Sequence, residues 1–347
     1  MMAHSVGGEC LVCAARVEER PRLPYLEREF SHLPVRENPF AALEVLLCPR
    51  CGFGWAVPAV APARLETFYQ RAYRGEGSAH HVSPPATQTA APFDPRAVSQ
   101  LLLAKMFRPF APGEAVLDVG PGYGESFGAL ARLMPCTQPF AFEPDPAARR
   151  FLQDVMGVHV FPHSFSADPR VRELVDGRVF HLVLMSHVLE HFNGQDVITV
   201  LENVRRLLAH EGVLVCEVPH CDLRRHADRR TNDTPHLTFF SAESFRAALV
   251  RAGFVVTFLQ TCGQPYDAWW VGETAGRARV APRPDASRLM RWTKRGYTAL
   301  HGRLPRGIRH HLDALRLSVR MDTLLRSDEL AYGGERTCLR AVAVQER

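Results

Sequence analysis

The stretch VLDVGPGYGES, residues 116–126, decides the fold. An apolar run enters a Gly-x-Gly-x-Gly turn formed by Gly120, Gly122 and Gly124, and a helical pattern follows. Glycine adopts a positive φ without strain and lets the backbone approach a ligand closely. The spacing therefore predicts a strand, a ligand-binding turn and a helix, with the ligand at the carboxyl end of the strand. A turn that binds nothing is the alternative.

Acidic residues indicate which ligand this turn binds. Counted from Gly120, a dinucleotide fingerprint needs a glycine where Glu125 stands, so that match fails. Asp118 precedes the first glycine, where a carboxylate would repel a pyrophosphate but attract the ammonium and sulfonium groups of S-adenosylmethionine (SAM). Glu143 ends the next predicted strand and can accept charge-assisted hydrogen bonds from two ribose hydroxyls. These residues favour SAM as the cofactor.

Helix and strand patterns alternate over the centre of the chain, which predicts a parallel sheet with helices on both faces. Helices are predicted at residues 97–110, 125–134, 146–156, 196–209 and 242–252, and strands at 115–119, 140–142, 158–161, 180–185, 213–218 and 254–259. Residues 337–344 alternate like a further strand, which we expect to return to the same sheet. The predicted fold class is α/β, with a Rossmann-like seven-stranded sheet.

Composition shifts along the chain predict five segments. They are a zinc-binding module at 1–57, a helix and linker at 58–94, a SAM-binding core at 95–264, a helical insertion at 265–333, and a final core strand at 334–347. The insertion is rich in Arg and opens with Trp269 and Trp270, whose rings suit a substrate pocket, a subunit contact or core packing. An oligomer through this insertion is therefore one expectation.

Four of the nine cysteines form two tight pairs near the N-terminus. Cys10 and Cys13 form one C-x-x-C pair, and Cys48 and Cys51 form the other. Each pair supplies half of a tetrahedral thiolate site, which suits a structural Zn²⁺. A redox-active pair is the alternative, but no thioredoxin-like unit surrounds these residues.

Overall composition limits the class of protein. Apolar residues make up 46% and charged residues 23% of the chain, as expected for a globular protein. We find no apolar run long enough for a membrane span and no secretory signal, so we expect a cytoplasmic protein. The net charge of +5 is mild and does not by itself indicate nucleic acid as a partner.

Four motifs resemble those of class I SAM-dependent methyltransferases: VLDVGPGYG, FAFEPDP, FHLVLMSHVLEHF and LLAHEGVLVCEVPH. The resemblance implies that Asp118 and the three glycines surround the methionine end of SAM. It implies that Glu143 holds the ribose beside Pro144, and that the loop of His163, Ser164 and Phe165 holds the adenine. Ser186 and His187 match the segment that lines the reaction centre.

The paired cysteines, LETFYQRAY and PHLTFFSAESF resemble a subgroup that methylates sugars and other natural-product intermediates. Its sugar C-methyltransferases resemble the pattern H-E-H-x-x-Y-F-S. Here Pro235 replaces the acidic residue and Phe239 the tyrosine, while His236 is retained. The comparison favours O- or N-methylation of a small-molecule acceptor over C-methylation.

Several histidines are candidates for the base that removes a proton from the acceptor, because imidazole titrates near neutral pH. His236 and His187 are the preferred candidates, and His220 and His191 are the others. Glu190 and His191 also resemble an acidic-His segment that holds a divalent metal in some quinone O-methyltransferases. Tyr69 and Tyr73, just before the linker, could fold over the cofactor or serve in helix packing.

Two other functions remain open from the residues. The basic isoelectric point and the cysteine pairs are compatible with an RNA or DNA methyltransferase. Enzymes that methylate exocyclic base nitrogens usually carry Asn/Asp-Pro-Pro-aromatic after the fourth strand, where this chain has Ser186-His-Val-Leu. A scaffold that binds SAM without catalysis is the second alternative, although Glu143 and the intact glycine turn favour an enzyme.

Overall fold

The computed structural model describes residues 8–75, 78, 94–266 and 330–346 of the 347-residue chain. Residues 267–329 lie outside this part, so the predicted helical insertion and its Trp269 and Trp270 are not described. Most of the predicted linker after Gly75 also lies outside it. Among the described residues, no helix combines the length and apolar character needed to cross a membrane.

A seven-stranded sheet forms the centre of the fold. Its strands are β6 (Ala115–Val119), β7 (Gln138–Phe142), β8 (His159–Val160), β9 (Phe180–Ser186), β10 (Leu208–Pro219), β12 (Phe254–Pro265) and β13 (Arg336–Gln345). Their spatial order is β12-β13-β10-β9-β6-β7-β8. Strands β8, β7, β6, β9 and β10 are parallel, and β13 pairs antiparallel with both β10 and β12. The order changes direction beside β6, where open α/β sheets bind ligands.

Helices cover both faces of this sheet, as predicted. They are α2 (Pro95–Phe107), α3 (Glu125–Leu133), α4 (Pro146–Asp154), α5 (Val171–Leu174), α6 (Val197–Leu207) and α8 (Ala242–Arg251). Buried side chains of α5, α6 and α8 form one apolar cluster, and those of α2, α3 and α4 form another. Alternate residues of β6 divide between the clusters, with Leu117 in the first and Val116 in the second, because successive strand side chains point to opposite faces.

The final strand confirms the expected return to the sheet. The predicted residues 337–344 lie within β13, inserted between β10 and β12. Several predicted boundaries were wrong, and two of them have a clear cause in strand pairing. Strand β12 continues to Pro265 because its pairing with β13 extends to Arg336, and the helix predicted to end at residue 209 ends at Leu207, where β10 begins to pair with β9.

A second, four-stranded sheet joins the N-terminal region to a loop of the core. It contains β3 (Arg22–Pro24), β4 (Glu44–Leu47), β5 (Gly54–Val57) and β11 (Thr238–Phe239), in the order β11-β5-β4-β3. The remaining N-terminal elements are β1 (Gly8–Glu9), β2 (Arg16–Val17) and α1 (Pro62–Arg71), and a short helix α7 (Leu223–His226) follows β10. Strand β11 begins two residues after His236 and pairs with β5. The N-terminal region therefore contacts the loop that carries His236.

Candidate functional site

The glycine turn lies between β6 and α3 and adopts the predicted backbone conformation. Gly120, Gly122 and Gly124 have φ values of 73°, 59° and 79°. A Cβ atom on Gly120 would lie 2.8 Å from Val188 Cγ2, and one on Gly124 would lie 2.5 Å from Met156 Sδ. Side chains at these positions are therefore excluded by both backbone strain and contact.

Glu143 ends β7 beside this turn and is only 2% exposed. Its Oε2 accepts a hydrogen bond of 2.8 Å from the Gly122 amide, and its Oε1 accepts one of 2.9 Å from the Asp145 amide. Burial raises the pKa of Glu143, while the charge of Arg74 and the two amides oppose that rise. Pro144 is half-buried next to it. The carboxylate is thus held in a fixed position next to the glycine turn.

Asp118 lies within β6, immediately before the turn, and is 4% exposed. Its carboxylate accepts a hydrogen bond from the Ser126 hydroxyl. Burial raises the pKa of Asp118 to about 7, and the nearby charges of Glu143 and Glu125 add to the rise. A cationic ligand at this position would favour the charged carboxylate.

Arg74, three residues beyond α1, reaches the same place from the N-terminal region. Its Nη1 lies 3.5 Å from Glu143 Oε1, and its Nη2 would lie 2.8 Å from a Cβ on Gly122. Its guanidinium also lies 5.5 Å from the ring centroid of Tyr123. The sequence interpretation missed this residue, since a single Arg beside a predicted linker carries no spacing signal.

The predicted adenine loop follows β8. This strand pairs with β7, the strand that Glu143 follows. Phe165 is buried and its ring lies 5.3 Å from that of Phe142. The Ser164 hydroxyl oxygen is buried without a hydrogen-bond partner among the described residues, and His163 is exposed. A buried hydroxyl without a partner is costly unless a ligand or water satisfies it.

Ser186 is the last residue of β9 and His187 follows it, on the other side of the turn. The Ser186 hydroxyl accepts a hydrogen bond of 2.8 Å from Gln100 Nε2. His187 has a φ of 54°, a conformation that is uncommon outside glycine. Its Nδ1 lies 3.3 Å from Glu190 Oε1 and its Nε2 lies 3.3 Å from Glu217 Oε1. Two buried carboxylates therefore flank this imidazole.

These carboxylates determine the charge of His187. Burial lowers its pKa, but Cys338 and the carboxylates of Glu190 and Glu217 raise it, and the net pKa lies well above the usual range. The pKa of Glu217 is below its usual range, because Arg340 and His187 outweigh the effect of burial. At neutral pH His187 is therefore an imidazolium.

Glu217 and Arg340 form a buried ion pair that the sequence interpretation missed. Each side chain is 1% exposed, and Arg340 Nε lies 2.5 Å from Glu217 Oε2. Arg340 also donates to the Ser99 hydroxyl and, at 2.6 Å, to the Tyr332 hydroxyl. The sequence does show one charged residue within each of two apolar strands, which could have suggested a buried ion pair. Nothing in the sequence indicated that these strands, β10 and β13, are neighbours.

A cavity of about 480 Å³ opens beyond the carboxyl ends of β9 and β10. Its lining includes His187, His220 and His236, together with Glu217 and Arg340. Further lining residues come from the loop before β11, among them Asn232, Thr234 and Pro235. The volume is within the range of small-molecule sites, and polar groups from several elements face it.

His236 approaches His191 and Glu190 next to this cavity. Ligand atoms of the three side chains lie within 4.8 Å of one another. The carboxylate of Glu190 is buried, with Oε1 3.3 Å from His187 Nδ1 and Oε2 without a hydrogen-bond partner among the described residues. His191 Nδ1 lies 3.4 Å from the Pro235 carbonyl, and the Tyr69 ring packs edge-on at 5.6 Å from the His191 ring. Tyr73 packs beside it, 6.3 Å away.

The four N-terminal cysteines also come together. Their sulfur atoms lie within 4.8 Å of one another, with Cys10 and Cys51 at 3.8 Å and Cys13 and Cys48 at 3.9 Å. A hydrogen bond with Cys51 lowers the pKa of Cys10 to about 5. The arrangement has the residue types and the closed ligand set of a tetrahedral structural metal site.

A known family matches the part of the chain that contains the sheet and the glycine turn. Residues 92–258 match the family described as "Methyltransferase domain". This part makes up close to half of the chain and is similar to that methyltransferase family. A comparison with curated proteins gave no match.

Solved structures give weak similarities. One is a chain from the complex between the Haloferax volcanii Trm112 methyltransferase activator and a methyltransferase, with 14% identity, a TM-score of 0.40, and coverage of 73% of this chain and 91% of the other. YcgJ from Bacillus subtilis has 16% identity, a TM-score of 0.40, and coverage of 72% and 99%. A TehB-like SAM-dependent methyltransferase from Corynebacterium glutamicum has 17% identity, a TM-score of 0.36, and coverage of 47% and 75%. At these scores we infer nothing further from them.

Proposed function

We propose that this protein transfers the methyl group of SAM to an oxygen or nitrogen atom of a small-molecule acceptor. The observation that carries the proposal is the position of Glu143, buried beside three glycines with positive φ and held by two backbone amides. A fixed carboxylate at this end of the sheet suits the two ribose hydroxyls of a nucleoside.

Each residue of the proposed cofactor site would contact a different part of SAM. Asp118 would attract the positive end of SAM, Glu143 and Pro144 would hold the ribose, and Ser164 and Phe165 would contact the adenine. The glycine turn provides close backbone approach, and Ser186 lies toward the reaction centre. When bound, SAM supplies an electrophilic methyl carbon for in-line displacement. The chain must then align the acceptor and exclude water, which a cavity at this edge of the sheet can do.

The acceptor cavity favours oxygen or nitrogen as the methylated atom. Pro235 and Phe239 line the cavity, and neither can remove a proton from carbon. Asn232 and Thr234 add neutral hydrogen-bonding groups, which suit a sugar or another hydroxylated intermediate. The cavity is also of the size that encloses a small molecule.

Structural zinc belongs to the same proposal. Cys10, Cys13, Cys48 and Cys51 would bind Zn²⁺ as four thiolates, with no open coordination position. The role of the ion would be to stabilise an N-terminal region that has few regular elements of its own.

Replacing Glu143 by Gln is expected to weaken binding of S-adenosylhomocysteine about 10- to 100-fold, because neutral hydrogen bonds replace charge-assisted ones. Calorimetric titration of the full chain measures this change. Glu173→Gln, at an exposed position on α5, is the matched control and should bind like wild type. Equal affinity of the Glu143 variant, or comparable binding of NAD to wild type, would contradict the cofactor assignment.

A divalent metal at Glu190, His191 and His236 is the second ion of the proposal. The buried Oε2 of Glu190, which has no hydrogen-bond partner among the described residues, fits a cation. The hydrogen bond between His191 Nδ1 and the Pro235 carbonyl would make Nε2 the ligand atom. We expect zinc-loaded protein to bind one further equivalent of Mn²⁺, as counted by electron paramagnetic resonance.

The variant Glu190→Gln tests this site without an activity assay. It should lose the Mn²⁺ equivalent and keep the zinc content of wild type, because the cysteines lie elsewhere. Glu173→Gln again serves as the control for charge. Undiminished Mn²⁺ binding by the Glu190 variant would exclude this metal site.

A further inference from the structure

Three histidines line the acceptor cavity, and their surroundings give them different roles. His187 lies between two buried carboxylates, with Nδ1 3.3 Å from Glu190 and Nε2 3.3 Å from Glu217, so neither ring nitrogen offers a lone pair to the acceptor. A base must be neutral and have an available lone pair near the reacting atom. This requirement removes one of the two candidates that the sequence favoured.

His236 is constrained in another way. Its ring lies 5.3 Å from that of His191, and its ligand atom lies within 4.8 Å of those of His191 and Glu190. His236 is thus one of the three residues that would bind the divalent metal of the proposed function. His236 is therefore better suited to binding a cation, or to pairing with Glu190, than to cycling a proton.

His220 has a different environment, directly after β10. Its Nδ1 lies 3.0 Å from the carbonyl oxygen of Arg336. A carbonyl only accepts hydrogen bonds, so Nδ1 carries the hydrogen and Nε2 carries a lone pair in the neutral ring. The backbone amide of His220 donates to the Thr337 carbonyl at 2.8 Å, which fixes the residue against β13. Both the ring tautomer and the backbone are thus set by one neighbouring strand.

The groups around His220 keep it neutral. Burial lowers its pKa, and the electrostatic effect of the nearby His226 lowers it further. The Arg336 carbonyl and the carboxylates of Asp222 and Glu335 act in the opposite direction without reversing it. The ring of Tyr266 lies 6.3 Å away. At pH 7 the imidazole is therefore mostly unprotonated.

We propose that His220 is the general base of the methyl transfer, and that it removes the proton of the acceptor through Nε2. The inference rests on the proposed function and deepens it. A lone pair of the acceptor oxygen or nitrogen forms the bond to the methyl carbon, and the carbon–sulfur bond breaks with its electron pair passing to sulfur. The acceptor proton passes to Nε2, and the resulting imidazolium releases it to water.

His187 and the Glu217–Arg340 pair have a positioning role in this arrangement. Glu217 lies on β10 three residues before His220, and Arg340 lies on β13 four residues after Arg336, the residue whose carbonyl orients the base. The buried ion pair connects the same two strands. Its effect is to keep His220 and the Arg336 carbonyl in register.

The protonation state of His220 can be measured on the full chain labelled with ¹⁵N-histidine. Long-range ¹⁵N–¹H spectra between pH 5 and 9 report tautomer and charge, and the His220→Gln variant assigns the signal. We expect His220 to be neutral with hydrogen on Nδ1 at pH 7, and His187 to be charged. A charged His220, or hydrogen on Nε2, would overturn the assignment.

Turnover tests the role itself. Phenol, catechol and glucose serve as hydroxyl probes for transfer of a labelled methyl group from SAM, and the fastest of them is used for kinetics. His220→Gln should lower kcat about 10²- to 10⁴-fold with little change in KM for SAM, and added imidazole should restore part of the rate in His220→Gly. His210→Gln, at an exposed position of β10, is the control. An unchanged kcat in His220→Gln would overturn the inference.

Binding of S-adenosylhomocysteine to the same samples separates this inference from the proposed function. If wild type and His220→Gln bind S-adenosylhomocysteine equally but the variant keeps the wild-type kcat, only the role of His220 is contradicted. If folded wild type does not bind it, the proposed function fails first.

Discussion

Replacing Cys48 by Ser is expected to release zinc and to unfold much more of the chain than the N-terminal region. A structural zinc site contributes about 10 kcal/mol or more of binding free energy that is also folding free energy. This is comparable with the whole stability of an ordinary domain. Loss of one thiolate ligand from a closed four-ligand site should therefore be among the most damaging single substitutions in this protein.

Loss of zinc should destabilise more than the N-terminal region, because three of the four cysteines belong to an apolar cluster that extends into the central sheet. Cys10, Cys48 and Cys51 belong to the same apolar cluster as the buried side chains of β9, α6 and α8. Phe53 stacks 5.6 Å from Trp55, and its ring also lies 5.4 Å from that of Phe240. The Ser241 hydroxyl, which caps α8, also donates a hydrogen bond to the Cys51 carbonyl. Disorder in the zinc loops would therefore reach α8.

Thermal unfolding followed by circular dichroism, with zinc counted by mass spectrometry, measures this prediction. Cys136→Ser is the control, because Cys136 is exposed and lies outside the four-cysteine group. The control should keep its zinc and its Tm, while Cys48→Ser loses both zinc and cooperative unfolding near the wild-type Tm. A Cys48 variant that has no zinc but unfolds like wild type would show that the cysteines do not stabilise the core.

Local patterns in the sequence predicted the central sheet and the conformation of the glycine turn. The turn at Gly120, Gly122 and Gly124 needs positive φ values, and only a few residue types allow them, so sequence and backbone are closely linked there. Glu143 could be located because it follows a short apolar strand at a fixed distance from the turn. The alternation of residues 337–344 was sufficient to predict β13, because a strand has a period of two.

The acceptor side could not be predicted in the same way, because its contacts join residues far apart in the chain. Glu217 and Arg340 are separated by more than a hundred positions, and the pairing of β11 with β5 joins residues 238 and 55. No local period indicates such contacts. For the same reason the sequence could not show that His187 lies between the carboxylates of Glu190 and Glu217.

Arg340→Met is expected to lower the free energy of unfolding by about 3–5 kcal/mol, because it leaves the buried carboxylate of Glu217 without its strongest partner. Glu217 is 1% exposed and would keep Gln100, Arg96, His187 and the Cys262 thiol as polar neighbours. Urea denaturation measures the loss. At pH 7 the loss of the positive charge of Arg340 beside the buried carboxylate is the main cost, since methionine retains most of the side-chain volume.

The pH dependence and a double variant distinguish this cause from loss of packing. In wild type the pKa of Glu217 is lowered, so the pair contributes stability above the unfolded pKa of a glutamate and loses it as pH falls through the folded pKa. Without Arg340 the carboxyl can protonate at a higher pH, so the deficit of Arg340→Met should shrink between pH 7 and pH 5. The double variant Glu217→Leu/Arg340→Met removes both charges and should recover most of the lost free energy, because apolar replacement of a buried pair is often neutral. If the double variant were as unstable as the single one at both pH values, packing of the Arg340 side chain and its bonds to Ser99 and Tyr332 would be the cause instead.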